Sequence, residues 1–182
     1  MDTELVVRAQ AGDEEAFGMI AVAVGNRLYG VARRILRDAS LAQDATQQAL
    51  LDIWRFLPRL RDPQRFDAWA YRLLVNACSD EGRRSRRRTS VVRLLPTHDS
   101  SEHGGIAAVA DRDQLERAFR RLTTEHRAVV VLHHFLDLTV EEISEALGVP
   151  VATVRSRLHY AMRGLRAAVE ADARSVAREA AR

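Results

Sequence analysis

The residues most suggestive of chemistry lie close together between positions 153 and 163. Their side chains combine hydroxyl, guanidinium and imidazole groups and would face outward from a single helix. They are Thr153, Arg155, Ser156, Arg157, His159, Tyr160 and Arg163. Such groups donate hydrogen bonds and carry positive charge, which is the chemistry that DNA phosphates and base edges require. A helix with this face could enter the major groove.

The residues before this helix could position it in that way. Thr139 and Glu142 have the spacing of a capping box, which marks the start of a helix. Gly148 supplies the tight turn, because glycine adopts a positive φ at little cost. The inward apolar positions are Ile143, Leu147, Val149, Val154 and Leu158. The sequence therefore predicts a helix-turn-helix from Thr139 to about Arg163. A helical hairpin with solvated arginines is the alternative, but the coincidence of cap, turn, apolar pairs and basic second helix favours DNA binding.

A second basic group ends a helix that is predicted to start near Phe66 or Asp67. It is a run without any acid: Arg83, Arg84, Arg86, Arg87 and Arg88. Taken alone, such a run is typical of a solvated or disordered helix end. At the end of a DNA-facing helix it predicts phosphate contact and a marked salt dependence. The outer face of this helix carries Trp69, Arg72, Asn76, Asp80 and Arg83, and for Trp69 a core position or partial exposure is expected.

The rest of the chain also has helical signals. No sustained two-residue alternation occurs, so the sequence predicts an all-α fold. A short helix over 2–11 is followed by a long one capped by Asp13, with an apolar stripe that ends near Arg37. Ser40 and Gln43 resemble a capping box and predict a helix from Leu41 to about Leu57. Its predicted apolar face is Leu50, Ile53, Trp54 and Leu57, and a separate face carries Asp44, Gln47, Gln48 and Leu51.

The composition between 89 and 111 changes to serine, threonine, proline, histidine and glycine without helical period, which is typical of a linker. The sequence thus predicts two small helical domains joined by a flexible linker. The predicted boundaries are 1–88 for the first domain, 89–111 for the linker, 112–170 for the second domain and 171–182 for a helical tail.

Several classes of protein are disfavoured. All 28 basic residues are arginine, the net charge is +3, and the single cysteine rules out a disulfide framework. The six histidines form no metal-ligand spacing with a carboxylate, and no glycine loop could cradle a phosphate. We therefore expect no catalytic residues, no metal and no cofactor. No apolar run reaches the length of a membrane span, which predicts no membrane insertion and a cytoplasmic protein.

With these residues in place, the chain resembles the extracytoplasmic-function group of the sigma-70 family of RNA polymerase initiation factors. The likeness covers roughly residues 3–88 and 112–168. LTTEHRAVVVLHHFLDLTVEEISEALGVPVATVRSRLHYAMRGLR looks like the fourth conserved region, and the pairing of EEI-x-x-x-LG with TVRSRL is specific. DASLAQDATQQALLDIW looks like the polymerase-binding helix, and FDAWAYRLLVNACSDEGRRSRRR like the segment that meets the −10 element.

The resemblance implies a protein that binds core RNA polymerase and directs it to promoter DNA. The first domain would read and melt the −10 element, and the second would read the −35 element. The implied polymerase contacts are the clamp helices of the largest subunit and the flap of the second-largest subunit. An anti-sigma protein is a further candidate partner, since this group is often controlled in that way. A homodimeric regulator that binds DNA without polymerase stays open as an alternative.

The resemblance also implies residue roles. The residues that would meet the clamp helices are Asp44, Gln47, Gln48, Leu51 and Asp52, and Gln48 stands where the family usually has glutamate. Those that would meet the −10 element are Trp69, Arg72, Asn76, Asp80, Arg83, Arg84, Arg86 and Arg87. Asn76 occupies the position of a base-specificity contact, where an amide can both donate and accept. The outward residues between Thr153 and Arg163 would read the −35 element.

Overall fold

The computed structural model describes residues 1–92 and 116–180. Every regular element in this part of the chain is helical, which confirms the predicted all-α class with two helical domains. The longer helices are α1 (Thr3–Gln10), α2 (Glu14–Leu36), α3 (Ala39–Phe56), α4 (Phe66–Val92), α5 (Thr124–His134), α6 (Val140–Leu147) and α7 (Val151–Ala180). Residues 116–121 are also helical, and two short 3-10 turns, Leu57–Arg59 and Pro63–Arg65, join α3 to α4.

Side-chain caps fix the starts of the helices. Asp2 and Asp13 accept from the backbone N–H groups of the first turns of α1 and α2, as the sequence predicts. The predicted start of α3 is wrong, because Asp38 accepts from the Leu41 N–H at 2.9 Å and the helix begins at Ala39. A carboxylate three residues before that N–H satisfies it as well as a serine would, so Ser40 lies inside the helix rather than at its cap.

The core of the first domain lies between α2, α3 and α4, with α1 packed across α2. The predicted stripe of α2 is confirmed, since Ile20, Val24, Leu28, Val31 and Ile35 are all buried. The predicted apolar face of α3 is partly wrong. Ile53 and Leu57 are buried, but Trp54 is 43% exposed. Small residues fill the inner face of α3 instead, namely Ala42, Ala45, Thr46 and Ala49. Their size lets α3 approach its neighbours closely, which leaves the larger rings at the edge.

Helix α4 continues to Val92, past the predicted end of the first domain at 88. The remainder of the predicted linker, from 93 onward, lies outside the described residues. Leu74 rather than Leu73 is the buried leucine of α4, because the inner stripe follows Phe66, Ala70, Leu74 and Ala77.

The second domain packs directly against the first. Helix α5 contacts α2 and α4, and α6 contacts α4. Apolar side chains of the second domain, including Ala128, Leu132, Ile143 and Val154, belong to the same buried cluster as the core of the first domain. A smaller cluster of Ala118, Leu165 and Ala168 holds the helical residues 116–121 against α7. The two domains therefore share one continuous apolar core in this structure.

Candidate nucleic-acid interface

Residues Thr139 to Arg163 form the helix-turn-helix that the sequence predicts. The Thr139 hydroxyl accepts from the Glu142 N–H at 3.2 Å, and the Glu142 carboxylate accepts from the Thr139 N–H at 2.7 Å. That backbone N–H, together with the Thr139 hydroxyl, holds the pKa of the Glu142 carboxyl below its usual value. Gly148 ends α6 with φ +65°, the left-handed conformation that favours glycine. A hydrogen bond of 2.6 Å from the Ser144 hydroxyl to the Val149 carbonyl then fixes the turn into α7.

The turn presents one face of α7 outward. Arg155, Ser156, His159, Tyr160 and Arg163 are exposed, while Thr153 and Arg157 are half-buried. The rings of His159 and Tyr160 meet edge to face at 5.7 Å, and the Ser156 hydroxyl donates to the Thr153 carbonyl at 2.9 Å. On the opposite face Val154 is fully buried against α6. The structure thus brings the seven predicted residues together on one helix, five of them fully available to a groove.

The arginine-rich half of α4 forms a second exposed basic surface. Asn76, Asp80 and Arg83 lie exposed, as do Arg84, Arg86 and Arg87. Two of the arginines are paired along the helix: Arg83 contacts Asp80 and Arg84 contacts Glu81, each at 2.5 Å. Asp80 therefore neutralises and orients a neighbouring cation, which is a different role from direct contact with DNA.

The upper part of the same α4 face is covered by the second domain. Trp69 is half-buried, which agrees with the partial exposure expected for it, and it lines a cleft of about 330 Å³ between α4 and α6. Arg72 is exposed at the rim of this cleft, beside Gly148. The predicted −10 residues are consequently divided, because Asn76 and the arginines are open while Trp69 and Arg72 face the helix-turn-helix.

The outer face of α3 is open as well. Asp44, Gln47, Gln48 and Leu51 are exposed and Asp52 is partly so, and the Gln48 amide donates to Asp52 at 3.0 Å. Beside them runs an apolar groove of about 420 Å³, lined by Glu14, Phe17, Gln47, Leu50, Leu51 and Trp54. The rings of Phe17 and Trp54 lie 4.6 Å apart and form its floor. This groove is absent from the sequence interpretation, which assigns both rings to the core.

Two further residues at the domain contact have no role in the sequence interpretation. Gly82 is buried in the middle of α4, and Arg127 is half-buried on α5. An isolated glycine inside a long helix costs stability, so it signals a close approach of another backbone or side chain. Arg127 carries no comparable signal in the sequence.

Within residues 1–92 and 116–180, no group of three metal-ligating side chains comes together. None of the helices in these ranges combines the length and apolar character that a membrane crossing needs. His133 is half-buried, with Nδ1 2.7 Å from the Leu138 carbonyl oxygen, while His134 is exposed. This division between the two adjacent histidines matches the expectation that one faces inward and one outward.

Comparison with known families assigns both halves of the chain. Residues 21–88 match the model of sigma-70 region 2, and residues 112–165 match the model of sigma-70 region 4. The chain is 35% identical to the ECF RNA polymerase sigma factor SigL of Mycobacterium tuberculosis, over 76% of this chain and 80% of SigL. It is 29% identical to the RNA polymerase sigma-H factor of Pseudomonas aeruginosa, over 93% of this chain and 94% of that protein.

Solved structures have the same fold. CnrH, solved in complex with the cytosolic domain of CnrY, is 26% identical and has a TM-score of 0.65, covering 94% of this chain and 98% of CnrH. The sigma factor RpoE of Bartonella quintana, crystallised with the anti-sigma factor NepR, has a TM-score of 0.66 at 18% identity. It covers 86% of this chain and 98% of RpoE.

The fold and the exposed faces define a two-domain helical DNA-binding protein of the transcription machinery. The chain belongs to the sigma-70 family of RNA polymerase sigma factors, in the ECF group, which confirms the resemblance inferred from its motifs. Its function is promoter-specific initiation of transcription, with core RNA polymerase and promoter DNA as partners.

Proposed function

We propose that this sigma factor divides promoter reading between α4 and α7. The observation that carries the proposal is the exposed polar face of α7, which a helix-turn-helix presents outward while Val154 anchors the opposite side. On this basis α7 reads the −35 element from the major groove, with Arg155, Ser156, His159 and Tyr160 nearest the base edges. Thr153, Arg157 and Arg163 lie at the flanks, where phosphate contact fixes the register.

The −10 element is assigned to α4. The exposed amide of Asn76 can both donate to and accept from the edge of an unstacked base. Arg83, Arg84, Arg86 and Arg87 extend the same face as phosphate ligands, with Asp80 positioning Arg83. Because each phosphate contact releases counterions, binding by this surface should weaken steeply as salt rises. Trp69 and Arg72 complete the face once α6 has moved away from them.

The polymerase surface is assigned to α3. Asp44, Gln47 and Gln48 offer polar contacts, and Leu51 lies next to the groove that Phe17 and Trp54 line. Such a mixture of a central apolar groove and a polar rim is the usual composition of a protein interface. The expected counterpart is the clamp-helix pair of the largest subunit, and region 4 is expected to contact the flap of the second-largest subunit.

Three further assignments follow from this role. We propose that the chain acts through binding rather than catalysis, and that it works in the cytoplasm, where the polymerase and promoters are found. The titles of the solved relatives name CnrY and NepR as their partners, so an anti-sigma protein is proposed for this chain as well. The domain limits of 1–88 and 112–170 remain a proposal, although the matched regions support them.

The test is run-off transcription from genomic promoter fragments with purified core polymerase, with and without this protein. The proposal expects defined start sites that require both proteins. A homodimeric regulator would instead shift operator DNA by itself as a symmetric complex. Binding to DNA alone without polymerase-dependent initiation at any promoter would overturn the sigma-factor assignment of this surface.

A further inference from the structure

The closest contact between the two domains is made at Gly82. A Cβ at this position would lie 2.7 Å from the Thr124 hydroxyl oxygen, well inside ordinary contact distance. Both residues are buried, and Thr124 is the first residue of α5. Helix α4 therefore has a notch that fits the start of α5, and only glycine leaves the space for it.

Polar contacts lie on either side of this notch. The Arg65 guanidinium is 2.6 Å from the Glu145 carboxylate, which joins the start of α4 to α6. On the other side the Arg37 Nε donates to Glu116 at 2.7 Å, and the guanidinium of Arg34 stacks on the Phe135 ring at 3.5 Å. The domain contact is thus fixed by charge and shape at three separate places.

This contact covers part of the −10 face. Trp69 lines the cleft against Glu145 and Ala146, and Arg72 lies so near the turn that a Cβ at Gly148 would be 3.2 Å from its Nη1. The turn of the −35 reader is therefore in van der Waals contact with the −10 reader. In promoter DNA the two elements lie about 25 base pairs apart, or roughly 85 Å at 3.4 Å per step. The domains cannot keep this contact while both elements are bound.

One residue at the contact opposes its formation. The Nε of Arg127 is buried, and no hydrogen-bond acceptor is found for it among the residues that the structure describes. Its charged neighbours across the contact are Arg86 and Arg37, and burial followed by these two cations lowers the pKa of the Arg127 guanidinium. A buried donor without a partner destabilises the state that buries it.

We propose that the second domain of the free chain is the occupant of its own −10 face. In this closed arrangement the Gly82 notch and the Arg65–Glu145 pair hold α6 over Trp69 and Arg72, and Arg127 keeps the closed state easy to open. The proposal rests on the assignment of α4 to the −10 element. It makes release of the domain contact a step that must precede full promoter reading.

The test measures the distance between the domains in the full chain without polymerase or DNA. Spin labels are placed on Ala23→Cys in α2 and Arg166→Cys in α7, which are exposed positions away from the contact. The native Cys78 is buried, and burial raises the pKa of its thiol to about 12, so it stays unlabelled. Pulsed electron resonance should give one narrow, short distance for the parent chain.

Gly82→Ala should open the domains, because its methyl group meets the Thr124 hydroxyl. We expect the ratio of open to closed chains to rise by a factor of about 5–30. The matched control is Gly25→Ala, since a Cβ at Gly25 meets nothing within 4 Å and the helix propensity changes equally. Adding Thr124→Ala to Gly82→Ala leaves only the Thr124 Cβ position, at 3.8 Å, and should restore the short distance.

A second pair of variants acts at the surface and does not depend on core packing. Glu145→Arg places like charges opposite each other and should lengthen the distance, and adding Arg65→Glu should restore it. Arg127→Met should do the opposite of both openers and lower the open fraction about fivefold or more. Circular dichroism checks that each variant retains its helices.

An unchanged short distance in both Gly82→Ala and Glu145→Arg would overturn the proposal, as would a long distance in the parent chain. A rise in open chains for Arg127→Met would overturn the role given to that residue. A functional readout completes the test, because Gly82→Ala should bind a −10 single-stranded oligonucleotide more tightly than Gly25→Ala by the factor seen in the distance data. The distance measurement contains no polymerase, so it can fail while run-off transcription succeeds, and the reverse.

Discussion

Glu141 in α6 and Arg155 in α7 face each other across the helix-turn-helix, with Oε1 and Nη2 3.3 Å apart. Both side chains are well exposed, at 64% and 69%. An ion pair as open as this contributes little to stability. Its effect is to direct the Arg155 guanidinium along the reading face, from which a guanine edge could recruit it at small cost. The pair links the first helix of the motif to recognition by the second.

Arg155→Ala should weaken reading of the −35 element. A bidentate arginine–base contact discriminates by about 1–3 kcal/mol, so the variant should lose the corresponding preference for its promoter over a −35 mutant. Footprinting of the polymerase complex measures the protection at −35. Arg166→Ala, an exposed arginine of the same helix outside the reading face, serves as the control. Equal protection by Arg155→Ala and the parent chain would remove Arg155 from the reading set.

Asn76→Ala should reduce discrimination at −10 more than it reduces polymerase binding. The exposed amide contacts no described residue through a side-chain hydrogen bond in this structure, so its removal should leave the fold intact. Initiation on promoters with single substitutions in the −10 element gives the discrimination, and competition for core enzyme gives the binding. If both quantities fell by the same factor, the base-contact role would be wrong.

Leu51→Glu should lower affinity for core polymerase without destabilising the chain. Leu51 is 55% exposed and lines the groove beside Trp54, so a buried charge would arise only in the complex. We expect a loss of at least about 1 kcal/mol, measured by fluorescence competition with the parent chain. Val22→Glu is the matched control, because Val22 is 79% exposed on α2 and lies outside the groove. Equal effects of the two variants would contradict the placement of the interface.

Asp67 should give the chain an acid-sensitive component of stability. Burial disfavours its charged form, but the N-terminal ammonium of Met1 at 2.7 Å and the paired Arg27 outweigh burial and lower the pKa. The stabilisation is therefore complete above the unfolded pKa near 3.9 and is lost as pH falls through the lower folded value. Asp67→Asn should be less stable than the parent at pH 6, and the gap in Tm should close below about pH 4. A gap that stays constant with pH would rule out this linkage.

Much of the fold follows from local signals that the sequence carries directly. The α2 stripe and the Thr139–Glu142 box involve residues within a few turns of each other, so spacing alone predicts them. The cap of α3 was harder to assign, because Asp38 and Ser40 both offer capping oxygens and only the chain path from α2 decides between them. Trp54 was assigned to the core by its type, whereas the alanines of α3 settle how close the neighbouring helices come.

The contact between the domains was beyond local reasoning. Its determinants, such as Gly82 with Thr124 and Arg65 with Glu145, are far apart in sequence and share no periodic pattern. Each residue also has an ordinary local explanation, as a helix glycine or a solvated charge. The exposed faces of α3 and α7 were predictable in composition, but the covering of Trp69 by α6 depends on a tertiary arrangement that spacing does not encode.

The two tryptophans of the chain occupy two different places of consequence. Trp54 borders the groove beside the proposed polymerase surface, and Trp69 lies in the cleft between the domains. Indole emission responds to the polarity around each ring, so the chain contains two optical probes without any added dye. Replacing one ring with phenylalanine isolates the signal of the other. Docking on polymerase and separation of the domains could then be timed independently in a stopped-flow instrument, and their order read from which emission changes first.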